Sequence, residues 1–148
     1  MVRKILAVAF GGNAIQRECE EGTICQQFAN TRRALTGVVE MIKRGYEIIL
    51  THGNGPQVGD MLLMSERAKG EVPELPLGVL VAATQGTMGY MIQQSLQNMI
   101  RRAGLRKEVV SIVTQALVRP DDPALQKPTK PIGVFYSKEE IKYEIFNL

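Results

Sequence analysis

Two glycine-bearing segments carry most of the chemistry that the residues themselves suggest. Gly11-Gly12-Asn13 closes the apolar run Lys4-Ile5-Leu6-Ala7-Val8-Ala9-Phe10, and His52-Gly53-Asn54-Gly55-Pro56-Gln57 closes the β-branched run that starts at Tyr46. Glycine at a strand end lets several backbone N–H groups aim at one anion, because no side chain stands in the way. A helix that starts directly afterwards adds about half a positive charge at its N-terminus. Both turns are therefore candidate cradles for phosphate or carboxylate. Neither is a Walker A loop, since no glycine leads into Lys-Ser or Lys-Thr, and neither is a GxGxxG dinucleotide fingerprint. An ordinary βα turn is the plain alternative for either one alone, and two of them in one sheet weaken it.

A third candidate is Lys130, held between Pro128 and Pro131. Restricted backbone freedom there would present a fixed ammonium to an oxyanion, against the alternative of a surface lysine in a proline-bearing loop. His52 is the single histidine; at a strand end it is a conceivable general base, but with no acid fixed beside it a structural hydrogen bond is the simpler role. Asp121 and Asp122 before Pro123 read as a solvated turn more readily than as Mg²⁺ ligands, and Met88, Met91 and Met99 as core.

The elements that would position these groups follow from periodicity. The run from Lys4 to Phe10 suits a strand buried on both faces of a parallel sheet. Phe28, Leu35, Val38, Val39 and Ile42 recur at helical spacing, predicting a helix from Phe28 to Arg44 that stops at Gly45. Tyr46 to Thr51 is the next strand, and a second helix covers about Gln57 to Lys69. Pro73 and Pro76 then interrupt regular structure. Leu77 to Ala103 predicts one or two buried helices ending at Gly104, with Gly86 and Gly89 allowing close packing or a break. Val109 to Val118 predicts a third strand, and Ser137 with Glu140 a capping box for a last helix. Strands alternating with helices imply an α/β fold with a mostly parallel sheet sandwiched by helices, and ligands bind beyond the carboxyl ends of such strands. Both glycine turns and the Lys130 loop follow predicted strands, so they should share one edge.

Composition narrows the classes. Of 148 residues, 45% are hydrophobic and 22% charged, the balance of a globular domain able to bury a core. A net charge of +3 spread over scattered basic residues suits small anions and makes a poor nucleic-acid footprint. The two cysteines, Cys19 and Cys25, form no CxxC pair and no secreted framework, which predicts a reducing, cytoplasmic setting. No run approaches the ~20 residues of a membrane span, and the apolar stretch from Ile5 to Phe10 is too short for a signal h-region.

Taken together, Ala9-Phe10-Gly11-Gly12-Asn13-Ala14, Thr51-His52-Gly53-Asn54-Gly55-Pro56-Gln57-Val58-Gly59, Gln85-Gly86 with Gly89-Tyr90, Val113-Thr114-Gln115, Asp121-Asp122-Pro123-Ala124 and Pro128-Thr129-Lys130-Pro131-Ile132-Gly133 resemble carbamate kinase, of the amino acid kinase fold. The resemblance covers nearly the whole chain in the family's order. It implies residues 1–148 form an N-terminal substrate-binding lobe, truncated, with the nucleotide-binding lobe absent. It implies exchange of ATP and carbamate with ADP and carbamoyl phosphate, Mg²⁺ accompanying the nucleotide, in arginine or purine-derived nitrogen catabolism. Gly11, Gly12 and Asn13 would face the transferred phosphoryl group, Gly11 and Gly12 thereby touching the nucleotide; Gly53, Asn54 and Gly55 would line the carbamate side; Lys130 would bind the substrate oxyanion from a flap. A cytoplasmic homodimer is implied, and a separately encoded C-terminal half is a partner the resemblance allows; nucleic acid and membrane are not.

This chain departs from the family pattern at Phe10 (commonly Leu), Lys127 (commonly Asn) and Val134 (commonly Pro). Two alternatives stand beside the kinase of carbamate: a kinase of another small carboxylate acceptor, against which the Pro128-to-Gly133 block argues, and a non-catalytic remnant that binds small anions or dimerises.

Overall fold

The computed structural model describes residues 4–17, 20–129 and 132. Its elements run β1 (Lys4–Phe10), a 3-10 turn (Gly12–Ala14), α1 (Ile24–Lys43), β2 (Tyr46–His52), α2 (Gly55–Arg67), α3 (Leu77–Arg102) and a short α4 (Pro123–Gln126). β1 and β2 pair in parallel, from Lys4 opposite Tyr46 to Phe10 opposite His52. That register places both glycine turns at the same end of the sheet.

Helix α1 begins four residues earlier than its apolar periodicity predicts, because Thr23 and Gln26 form a capping box. The Thr23 hydroxyl accepts from the Gln26 N–H, and the Gln26 carbonyl accepts from the Thr23 N–H at 2.9 Å. Gly45, at φ +87°, lets the chain leave α1 in the left-handed region and turn directly into β2. α3 is one uninterrupted helix. Gly86 and Gly89 do not break it; at Gly89 an added Cβ would sit 3.1 Å from Ser111, so this glycine allows a close crossing.

The core lies between α1, α3 and one face of the sheet. Leu35, Val38, Val39 and Ile42 of α1 pack with Met88, Met91, Ile92, Leu96 and Ile100 of α3, and Val8, Phe10, Ile48 and Leu50 close the cluster from the sheet. Met99 packs against its edge, in keeping with a structural methionine stripe. Burying side chains of this size stabilises by about 1.5–3 kcal/mol each.

Two expectations change. β1 is not buried on both faces: Phe10 is 7% exposed but Ile5 is 66% exposed, since among the described residues helices cover one face only. Segment 109–118 is not a strand. Its β-rich composition is real, but a strand requires a neighbouring backbone, and β2 offers its hydrogen bonds to β1 alone among the described residues. The segment is held instead by glutamine side chains of α3. The expected last helix lies outside the described residues.

Candidate anion-binding site

Parallel pairing ends at Phe10 and His52, and the next residues bind the two turns to each other. The Gly53 N–H donates to the Phe10 carbonyl at 2.9 Å. A Cβ on Gly12 would lie 3.0 Å from Pro56 Cδ and 3.9 Å from the Gly55 nitrogen, and one on Gly53 would lie 3.5 Å from the Gly12 nitrogen. The turns are in van der Waals contact, and glycine at 12 is what permits it.

Each turn opens a helix. The Gly11 and Gly12 carbonyls accept from Ala14, Ile15 and Gln16, so the N–H groups of Gly12 and Asn13, which start the 3-10 turn, have no acceptor within it. In α2 the Val58 N–H is the first to find an intrahelical carbonyl, that of Asn54 at 2.9 Å. The N-cap residue Asn54 does not cap with its side chain. Its amide instead donates to Thr84 Oγ1 at 2.9 Å, and the fully buried Thr84 hydroxyl passes the chain of bonds to the Val81 carbonyl at 2.7 Å. The first N–H groups of α2, at Gly55 and Gln57, are thereby left to a ligand or solvent. Gly11, Gly53 and Gly55 are exposed, while Gly12 and Asn54 are partly covered. The result is a group of backbone N–H groups at two adjacent helix starts without intrahelical acceptors, an arrangement that suits an anion.

Behind it sits a polar layer that the sequence reading passed over. Asn30 donates to the Ile15 carbonyl at 3.1 Å and to the Glu20 carboxylate, tying the segment after the 3-10 turn to α1. Gln57 Nε2 reaches Gln16 at 3.4 Å and Gln27 at 3.5 Å, and Gln27 donates to the Gly22 carbonyl at 2.7 Å. The signal was present: Gln27, Thr31, Leu35, Val38 and Ile42 share one stripe of α1, polar in its first turns and apolar thereafter. Buried polar side chains that bond one another rigidify the segments they join.

Of the other candidates, His52 Nδ1 lies 3.2 Å from the Gly53 carbonyl, which accepts from the Nδ1–H tautomer. Asp121 is bonded to Arg119 at 2.7 Å, which holds its carboxyl below the usual range, and Asp122 caps α4 through the Ala124 N–H at 2.8 Å. Among the described residues no group of three His, Cys, Asp or Glu side chains gathers to hold a metal. Cys25 is an exposed free thiol. Lys130 lies outside the described residues, as do Cys19 and the Asn13 side chain.

The geometry defines an α/β domain whose consecutive strand-to-helix glycine turns meet at one end of the sheet. Comparison with known proteins gives the particular relationship. The chain is 45% identical over 141 residues to a carbamate kinase of Pyrococcus furiosus, covering 94% of this chain and 45% of that protein. It is 48% identical over 139 residues to a carbamate kinase of Trichomonas vaginalis, covering 93% of this chain and 44% of that one. Among solved structures, carbamate kinase from Giardia lamblia bound to citric acid superposes with a TM-score of 0.90 at 39% identity, over 99% of this chain and 47% of that one. The same enzyme bound to AMP-PNP gives 0.85, over 98% and 46%. No family model matches. The chain is homologous to the N-terminal portion of carbamate kinases and spans a little under half the length of these relatives. No helix among the described residues is long and apolar enough to cross a membrane.

Proposed function

We propose that this chain forms the substrate and transferred-phosphoryl half of a carbamate kinase, interconverting ATP and carbamate with ADP and carbamoyl phosphate. The observation that carries the reading is the direct contact of the two glycine turns, Gly53 on Phe10 and Gly12 on Pro56, in a chain with these relatives.

In the direction of carbamoyl phosphate synthesis, a carbamate oxygen forms a bond to the terminal phosphorus of ATP while the bond to the ADP oxygen breaks. The nucleophile is already an anion, so no proton has to be removed and no general base is required. That agrees with a His52 engaged by the Gly53 carbonyl. What the transfer needs is alignment and charge neutralisation. The open N–H groups of Gly12 and Asn13 meet the transferred phosphoryl oxygens, and Gly53, Asn54 and Gly55 border the carbamate, with the first N–H groups of α2 directed at it. The Asn54 to Thr84 bond fixes the second turn. Lys130 is assigned the substrate oxyanion. Mg²⁺ would neutralise the nucleotide phosphates. The described residues do not gather the carboxylates to hold it, so its ligands are assigned to the nucleotide and to the part of the kinase beyond this chain. The same reading includes a cytoplasmic homodimer in arginine or purine-derived nitrogen catabolism, and a partner polypeptide carrying the nucleotide lobe.

The test is ATP formation from ADP and carbamoyl phosphate with Mg²⁺, for the chain alone, for the chain mixed with the second half of the Pyrococcus furiosus carbamate kinase, and for that mixture with Lys130→Ala. Turnover that depends on the added half and drops at least tenfold in the variant supports the reading. Folded protein without turnover in any mixture leaves the second reading, an anion-binding domain without catalysis.

A further inference from the structure

Asn54 is the N-cap of α2, at φ −143° and ψ 13°, yet its side chain makes no capping bond. At two other helix starts the polar N-cap residue does cap: Thr23 accepts from the Gln26 N–H and Asp122 from the Ala124 N–H. Asparagine is as strong a capping residue as either. What distinguishes Asn54 is a competitor on α3. The fully buried Thr84 hydroxyl accepts from Asn54 Nδ2 at 2.9 Å.

The direction of that bond is fixed from behind. A threonine hydroxyl has one hydrogen, and Thr84 donates it to the Val81 carbonyl at 2.7 Å. Its oxygen can then only accept, so Asn54 must offer Nδ2 rather than its own carbonyl oxygen. Pro56, second in α2, has no N–H, which makes the N–H of Gln57 the donor that an asparagine at this cap would ordinarily take. Held by Thr84, Asn54 does not take it. Beside these donors there is room, since a Cβ on Gly55 would meet nothing within 4 Å. We propose that Thr84 is a positioning residue for the phosphoryl transfer: by holding the Asn54 amide off the start of α2, it keeps the Gly55 and Gln57 N–H groups open to the substrate anion. Thr84 touches no substrate and acts through Asn54. The inference rests on the functional reading above and deepens it by naming the side chain that keeps the substrate turn uncapped. A capped α2 would be a steadier helix and a poorer anion site, so the two properties should move in opposite directions when Thr84 loses its hydroxyl.

The test compares the full chain with Thr84→Val and Thr84→Ser. Amide hydrogen exchange is followed on each chain, and ATP formation at varied carbamoyl phosphate is measured with the second half of the Pyrococcus furiosus carbamate kinase added. Valine keeps the volume of threonine and drops the hydroxyl. In Thr84→Val the freed Asn54 should cap α2 and slow Gln57 exchange about fivefold. KM for carbamoyl phosphate should rise about tenfold or more, with kcat within about threefold of the parent. Thr84→Ser keeps the hydroxyl and should match the parent in both measurements. A hydroxyl that served packing alone would not slow exchange at Gln57. Exchange at Gln57 that is unchanged or faster in Thr84→Val, or an unchanged KM beside slowed exchange, overturns the proposal. If Thr84→Val does not fold, Asn54→Ser takes its place, because serine is a strong cap and too short to reach Thr84. Slowed Gln57 exchange with a raised KM then supports the proposal, and either one unchanged overturns it. A parent mixture without turnover overturns the functional reading. Exchange at Gln57 in the variants still decides for or against the Thr84 anchor, which separates the two failures.

Discussion

Replacing Gly12 by Ala tests the contact between the glycine turns. The added methyl would sit 3.0 Å from Pro56 Cδ and 3.7 Å from Cγ. Pro56 stands in the first turn of α2, where its ring cannot swing aside as a flexible side chain would, so one turn must move by a few tenths of an ångström. Overpacking of this kind costs about 1–3 kcal/mol. For a domain of this size that corresponds to a fall in melting temperature of roughly 2–12 °C. Gly11→Ala supplies the internal control: its added methyl meets nothing within 4 Å, and Gly11 has φ −68° and ψ 150°, open to any residue. Urea denaturation of the two variants beside the parent gives the stability difference, and calorimetric titration with carbamoyl phosphate gives the affinity. Gly12→Ala should lose stability and bind at least tenfold more weakly, while Gly11→Ala keeps its stability to within about 0.5 kcal/mol. Equal stability of the two variants would refute the argument, because it would mean that the turns are not in contact.

Thr23→Ala removes the capping hydroxyl of α1 and should cost about 1 kcal/mol, measured by urea denaturation. Leu35→Ala opens a cavity in the α1–α3 contact, where Leu35 is fully buried, and should cost about 2–5 kcal/mol in the same assay. Gln57→Met removes two hydrogen bonds of 3.4 and 3.5 Å together with a buried carbonyl oxygen that has no protein partner, so stability should change by less than about 1 kcal/mol. Asp121 has its pKa lowered by the Arg119 hydrogen bond, so any contribution of the pair is fully present above the unfolded pKa and is lost as pH falls through the folded one. The pair is exposed, and Arg119→Ala should therefore act mainly by moving the Asp121 titration upward, followed by NMR.

Helices were legible where their periodicity was carried by large apolar residues. Leu35, Val38 and Ile42 located α1, but its true start was set by Thr23 and Gln26, a local hydrogen-bond exchange outside the apolar pattern. The glycine turns were legible as turns, since only two glycine-rich strand ends occur before position 60. Their supporting layer was not, because Asn30, Gln57 and Thr84 come from three helices and meet only through tertiary packing.

Sequence alone determined the alternation of strand, glycine turn and helix, because hydrophobic period and glycine placement are local properties of the chain. It also supplied the reason for proposing an anion as ligand, because backbone N–H groups at helix starts carry positive potential. Tertiary structure decided the rest. Parallel register brought Gly12 against Pro56, although 44 positions separate them. It also decided that residues 109–114 of the β-rich segment are held by α3 and, among the described residues, pair with no strand, since a strand exists only through the backbone beside it, and propensity cannot name that neighbour.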